Sequence, residues 1–224
     1  MRWLLLLSAT VVLGCAEGGG SKPSNDDDGG SGGGGAASDG GAGGTGGKGG
    51  SGASVGGAST GEIWINEIHY DNAGLDTAEG IEVAGQAGLD LSPYAIELYS
   101  GDNGELYNTL ELNGTLADQL NGFGTAWLAL PANGLQNGDM DGVALVSTAT
   151  NELILFLSYE GTLTAVNGIA SGATSTDIGV AESEATPEGQ SLQLTGFGSD
   201  YANFTWGGPE TATPNAANVG QGFQ

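Results

Sequence analysis

A chain of 224 residues with three Lys and Arg against 27 Asp and Glu has room for one domain or two small ones. Its charge excludes direct nucleic-acid binding by the folded part, because all three basic residues (Arg2, Lys22, Lys48) precede Gly61 and such affinity comes from basic side chains neutralising phosphates. From Glu62 to Gln224 there are 22 acidic residues, a surface that stays soluble, tolerates salt and attracts divalent cations with oxygen ligands.

Arg2 is followed by an apolar run from Trp3 to Gly14, too short to span a bilayer and of the length of a secretory core, so residues 1–14 read as an export signal. The run ends in Val12-Leu13-Gly14-Cys15, which resembles the lipobox of bacterial lipoproteins. That resemblance implies cleavage before Cys15, a diacylglycerol on its sulfur and an acyl chain on the new amino group. Several acyl chains hold a protein stably where one holds it marginally. Ala16, standing where an inner-membrane signal has Asp, implies a lipid anchor in the bacterial outer membrane or at the cell surface. The alternative is a plain signal peptide with an incidental cysteine. Cys15 is the only cysteine, so no intrachain disulfide forms.

Residues 15–61 comprise this cysteine and a linker. Between Ala16 and Gly61, 21 of 46 positions are glycine, and a segment so poor in apolar side chains cannot offset its ordering entropy. It is expected to be a disordered tether with an r.m.s. span of about 35–40 Å.

Residues 62–224 form the folded domain. Short β-type runs recur between Gly, Asn and Asp turns: Ile63 to Tyr70, Ile81 to Val83, Tyr94 to Tyr99, Leu106 to Leu112, Ala126 to Leu130, Val143 to Ser147, Glu152 to Tyr159, Ser191 to Thr195 and Asn203 to Trp206. About nine strands and no amphipathic helix predict an all-β antiparallel sandwich. The Asp102-Asn103-Gly104 turn suits a hairpin, and Ile154-Leu155-Phe156-Leu157, apolar on both faces, reads as a central strand. Glu160 to Gln190 breaks the rhythm, with only a weak strand candidate at Ile178 to Val180, and long irregular stretches are usually functional or flexible.

The segment INEIHYDNAGLDTAEGIEVAG with Asp90-Leu91-Ser92, together with LQNGDMDGVALV from Leu135, FLSYEGTLTA from Phe156, TSTDIGV from Thr174, SLQLTGFG from Ser191 and the ending FTWGGPETATPNAANVGQGF, resembles the bacterial lamin-tail domain across essentially all of residues 62–224. The resemblance implies an immunoglobulin-like β-sandwich, found as an accessory module beside secreted nucleases or phosphatases or on cell-surface proteins, and it does not imply catalysis. Gly80 stands where the family has an aromatic residue, and Pro93-Tyr94 replaces Gly-Trp. Both departures are expected to leave the fold intact while thinning the core locally.

Candidate chemistry gathers after the first strand. Taking the even-numbered residues Trp64, Asn66, Ile68 and Tyr70 as the core face leaves Glu67 and His69 on the other, about 6.6–6.8 Å apart, as a rim pair. His69 acts there as a capping or pairing residue, or as a general base, which would need a nucleophile or bound water. Asp71, Asn72, Asp76 and Glu79 surround a Gly-containing turn and suit hard oxygen coordination of Ca²⁺, joined by Asp177 from the long interval. The competing reading is an Asx-rich turn with solvated carboxylates. Asn137, Asp139 and Asp141 imitate the start of an EF-hand, but that loop needs Glu where Thr148 stands, so they read as a hairpin turn. Trp127, opposite Leu128 and Leu130, is the tryptophan expected at the surface as a binding residue.

These features point to a membrane-anchored surface lipoprotein whose lamin-tail-like domain is a non-catalytic binding or envelope-interaction module, with Ca²⁺ as candidate ligand. Its partners would be the membrane, through the anchor, and a protein or glycan. The alternatives are an accessory component of a secreted nuclease or phosphatase system, or a glycan-binding adhesin.

Overall fold

The computed structural model describes residues 63–224. The proposed lipidation site Cys15 and the Gly-rich segment lie outside the described residues. The domain is a β-sandwich, as the strand pattern predicts. One sheet runs β10-β9-β1-β2-β5, where β1 is Ile63–His69, β2 Gly80–Gln86, β5 Phe123–Ala129, β9 Gln190–Gly198 and β10 Phe204–Thr211. The other runs β4-β3-β6-β7-β8, with β3 Tyr94–Tyr99, β4 Leu106–Glu111, β6 Gly142–Ser147, β7 Glu152–Ser158 and β8 Thr176–Asp177. Each of the nine expected runs overlaps a strand, and two short ones are added. β8 replaces the weak candidate at Ile178 to Val180 and pairs in parallel with Leu157 and Ser158. β11, Gln221–Phe223, pairs in parallel with Gly196–Gly198 on the edge of β9 opposite β10.

The turns follow their side chains. Asn121-Gly122 carries positive φ at both residues, the mirror-image turn that matches strand twist, and Leu120 bridges Phe123 across it. The open edge of β5 is blunted by side chains: Gln119 accepts from the Thr125 amide and hydroxyl and donates to its carbonyl, and Asn215 accepts from the Trp127 amide. Occupied edge groups are how soluble sheets avoid pairing with another chain.

The inter-sheet core takes Ile63, Ile65, Ile68, Tyr70, Ile81 and Val83 from one sheet against Ile96, Leu98, Val143, Leu145 and Leu157 from the other, with Tyr70 and Tyr159 stacked at a ring separation of 3.8 Å. This corrects the even-numbered core face. A bulge between Ile65 and Glu67 puts one extra residue into β1 and reverses its parity. Ile63 and Ile65 precede the bulge and Ile68 and Tyr70 follow it, so all four point inward, and Trp64, Asn66, Glu67 and His69 go to the outer face.

That outer face is not solvated. Trp64 packs there with Phe123, Phe204 and Phe223, at ring separations of 5.8–6.2 Å, contacts worth about 0.5–1.5 kcal/mol each beyond area burial. The C-terminal segment 212–223 supplies Ala217 and Phe223 to this cluster. The outer face of the second sheet is covered likewise, by Leu163, Ala165 and Ala170 against Ala95, Tyr99, Ala144, Val146 and Phe156. β7 is therefore apolar on both faces without being central: beyond it lies only the two-residue β8. The long interval from Glu160, expected to be functional or flexible, is in its first half a covering layer.

Candidate functional site

Glu67 and Glu82 face each other in register across β1 and β2, and both are wholly buried beneath the C-terminal segment. Glu67 accepts hydrogen bonds from Ser191 Oγ (2.6 Å), the Thr213 amide and hydroxyl (2.9 Å each) and Gln193 Nε2 (3.4 Å). Glu82 accepts from Asn66 Nδ2 (3.0 Å) and the Asn215 amide (2.6 Å). Burial pushes the Glu82 carboxyl up to about 8, against the hydrogen bond from Asn66, and the Glu67 charge adds to the rise. Asn218 completes the network by donating to the Asn66 and Leu194 carbonyls. These carboxylates anchor the chain end over the sheet.

His69 is buried and does not pair with Glu67. Its Nδ1 lies 2.9 Å from Glu182 Oε1, and its Nε2 lies 3.1 Å from the Thr77 carbonyl and 3.2 Å from Asn72 Oδ1. Acceptors at both ring nitrogens suit the doubly protonated ring. Burial works against the charge, but the hydrogen bond and the negative charge of Glu182 outweigh it and raise the His69 pKa. Glu182 Oε2 accepts from the Tyr70 amide (2.7 Å) and the Asp71 amide (3.0 Å). Tyr70 Oη in turn accepts from the Glu182 amide (2.8 Å) and donates to Glu160 Oε1 (2.7 Å). His69 is thus the cation of a clamp that fastens the second half of the long interval to the end of β1.

The turn that follows uses most of its polar groups internally. Asn72 Oδ1 accepts from the Thr77 amide (3.0 Å), and Asp76 Oδ1 accepts from the Asn72 amide (3.1 Å). Asp76 Oδ2 accepts from Asn137 Nδ2 (3.0 Å). Glu79, wholly buried, accepts from the Gly134 amide (2.7 Å) and the Leu135 amide (3.0 Å). Burial raises its pKa while those two amides pull it back.

Asp71 is the exception. Its carboxyl neighbours that of Asp76, with the charges of Glu182 and Glu184 nearby, and Oδ1 is buried with no hydrogen-bond partner. Burial first, then Asp76, pushes its pKa up to about 6.

Of the sequence-predicted cation ligands, the structure brings Asp71, Asn72, Asp76 and Glu79 onto one turn. Asp177 is exposed on β8 and accepts from the Gly179 amide at 2.9 Å, a local turn contact with no link to the others. Among the described residues, no group of three or more His, Cys, Asp or Glu side chains is spaced to hold a metal ion. Asp141 accepts from the Gly101 and Gly138 amides (2.8 and 3.0 Å), so the stretch is a turn without a cation loop, but it is not a hairpin, because it carries the chain from β5 in one sheet to β6 in the other. Trp127 is half-buried: it lines a cleft of about 470 Å³ between β4 and β5 with Leu91, Thr109, Leu110 and Leu128, and its indole packs against Gly80. A Cβ at position 80 would overlap that ring, so the indole occupies the space that the missing aromatic was expected to leave thin.

Glu182, Glu160 and Thr213 carry much of this arrangement and were not singled out in the sequence. The only signal for Glu182 was its place in the interval that broke the strand rhythm. The chain matches no family model, no curated protein and no solved structure.

Proposed function

We propose that the chain is a lipid-anchored surface protein of the bacterial envelope, whose lamin-tail-like sandwich is a non-catalytic binding module. The observation that carries this reading is the fate of the polar residues around β1: Glu67, His69, Asn72 and Glu79 are all buried and engaged in holding loops and the chain end to the sheet. A general base needs hydrogen-bond reach to a substrate or a water, and these groups are committed elsewhere. Ser191 and Glu67 come nearest to a nucleophile with its base, at 2.6 Å, yet both are wholly covered. The cleft between β4 and β5 is the surface offered to a protein or glycan partner, since it joins Trp127 and leucines to the polar groups of Thr109 and Asn113.

Two measurements test the reading. Metabolic labelling with a clickable palmitate should tag the wild type and be lost in Cys15→Ala; label that survives the substitution removes the anchor. The purified chain should hydrolyse neither phosphomonoesters nor nucleic acid, with or without divalent metal, and activity abolished by His69→Ala would favour the rival reading, a component of a secreted nuclease or phosphatase system.

A further inference from the structure

Each oxygen of the outer-face carboxylates Glu67 and Glu82 meets at least one N–H or O–H donor, and Asp71 Oδ1 meets none. Asp71 is buried, with 6 % of the residue exposed, and its Oδ1 faces no donor. The neighbouring carboxyl is that of Asp76, whose two oxygens are held by the Asn72 amide and Asn137 Nδ2, and Glu184 adds a further negative charge from the long interval. The described chain holds no Lys or Arg to neutralise this group, and the one cation it can form, His69, has both nitrogens occupied by other acceptors. A buried carboxylate oxygen without a donor, beside a second carboxylate, is completed either by a proton shared between the two acids or by a hard cation.

We propose that Asp71 and Asp76 hold a divalent cation of the Ca²⁺ class at the tip of the first strand, with Glu184 as an outlying carboxylate. Glu79 and Asp177 are not ligands, because the carboxylates whose charges act on Asp71 are those of Asp76, Glu182 and Glu184, and Asp177 closes its own turn. With two carboxylates and the remaining positions filled by carbonyl oxygens or water, the site is weak, in the range of about 10⁻⁴–10⁻³ M typical of extracellular modules. Ca²⁺ is favoured over Mg²⁺ because an irregular ligand set on a turn does not meet the strict octahedral demand of the smaller ion. Occupancy would tie the turn to the segment that carries Glu182 and Glu184.

The test uses the full chain at pH 7.5. Raising CaCl₂ from zero to 10 mM should increase the melting midpoint of the wild type by about 3 °C. MgCl₂, and NaCl at matched ionic strength, should do distinctly less. Asp71→Asn and Asp76→Asn should each abolish the increment, and Asp177→Ala should retain it. Terbium luminescence, sensitised by Tyr70 and displaced by Ca²⁺, gives a second readout in case either Asn variant folds poorly. The proposal is overturned if Ca²⁺ leaves the wild type unchanged, which assigns the pair a shared proton, if Mg²⁺ or NaCl reproduces the shift, or if the shift persists without Asp71 and Asp76.

Discussion

Two carboxylate pairs lie close together on β1, β2 and the turn that joins them, in a domain without Lys or Arg, and they have opposite fates. Glu67 and Glu82 are the more deeply buried, yet six hydrogen-bond donors meet them, four at Glu67 and two at Glu82. Asp71 and Asp76 are nearer the surface, and one of their oxygens meets none. Burial by itself therefore does not mark a functional carboxylate here. What separates the pairs is whether the chain has folded its own donors onto them. The C-terminal segment does so for the first pair, and nothing described does so for Asp71 Oδ1.

The sharpest way to break the comparison is to remove the satisfied acceptor. Glu67→Ala should leave the Ser191 hydroxyl and the Thr213 amide without their acceptor, while Gln193 keeps the Thr211 carbonyl and the Thr213 hydroxyl keeps Asn218, and polar groups so orphaned cost about 1–3 kcal/mol each when no water reaches them. Allowing for partial repair by water, the loss should be about 4 kcal/mol in urea unfolding, with the C-terminal segment becoming the first to exchange its amide hydrogens. A loss under about 1 kcal/mol would mean that the aromatic cluster alone holds that segment.

A smaller effect is expected from pH. The Glu82 carboxyl is raised from its ordinary 4.5 to about 8, so between these values the native state binds a proton that the unfolded chain has released. Stability from this group is fully present below pH 4.5 and is lost as pH rises through about 8. Unfolding free energy should therefore fall between pH 5 and pH 8.5 by about 2–3 kcal/mol. Glu82→Gln should flatten that slope, and an unchanged slope would transfer it to other groups.

The fold was legible in the sequence because strand and turn chemistry are local. Alternating β runs and Asn-Gly turns were enough to predict the sandwich and the runs within it. What was not legible depended on contacts distant in the chain. The bulge at Asn66 has no local mark, and one extra residue put Trp64 and Asn66, expected in the core, on the outer face with Glu67 and His69. The partners of His69 and Glu67 lie 113 and 146 positions away, at Glu182 and Thr213. In the sequence the long interval showed only a broken strand rhythm, and its role came from three apolar residues, Leu163, Ala165 and Ala170, that cover a sheet. The candidate site was half legible: the Asx-rich turn stood out, but which of its oxygens the chain leaves unsatisfied is decided by Asn137, Gly134 and Leu135, on another loop.

The smallest expected effect carries the opposite sign and so tests the contrast most directly. In metal-free buffer at pH 7.5 the ionised Asp71 sits beside Asp76 with an acceptor oxygen unmet, so Asp71→Asn removes a charge and gives the position a donor toward Asp76. Discounted for the solvent that lies close to this turn, the gain should be about 1 kcal/mol. Added Ca²⁺ should then erase the difference between variant and wild type, because it stabilises only the chain that retains both carboxylates. Asn at position 71 that destabilises the metal-free protein would place Asp71 with Glu67, as a carboxylate whose partners the chain already provides.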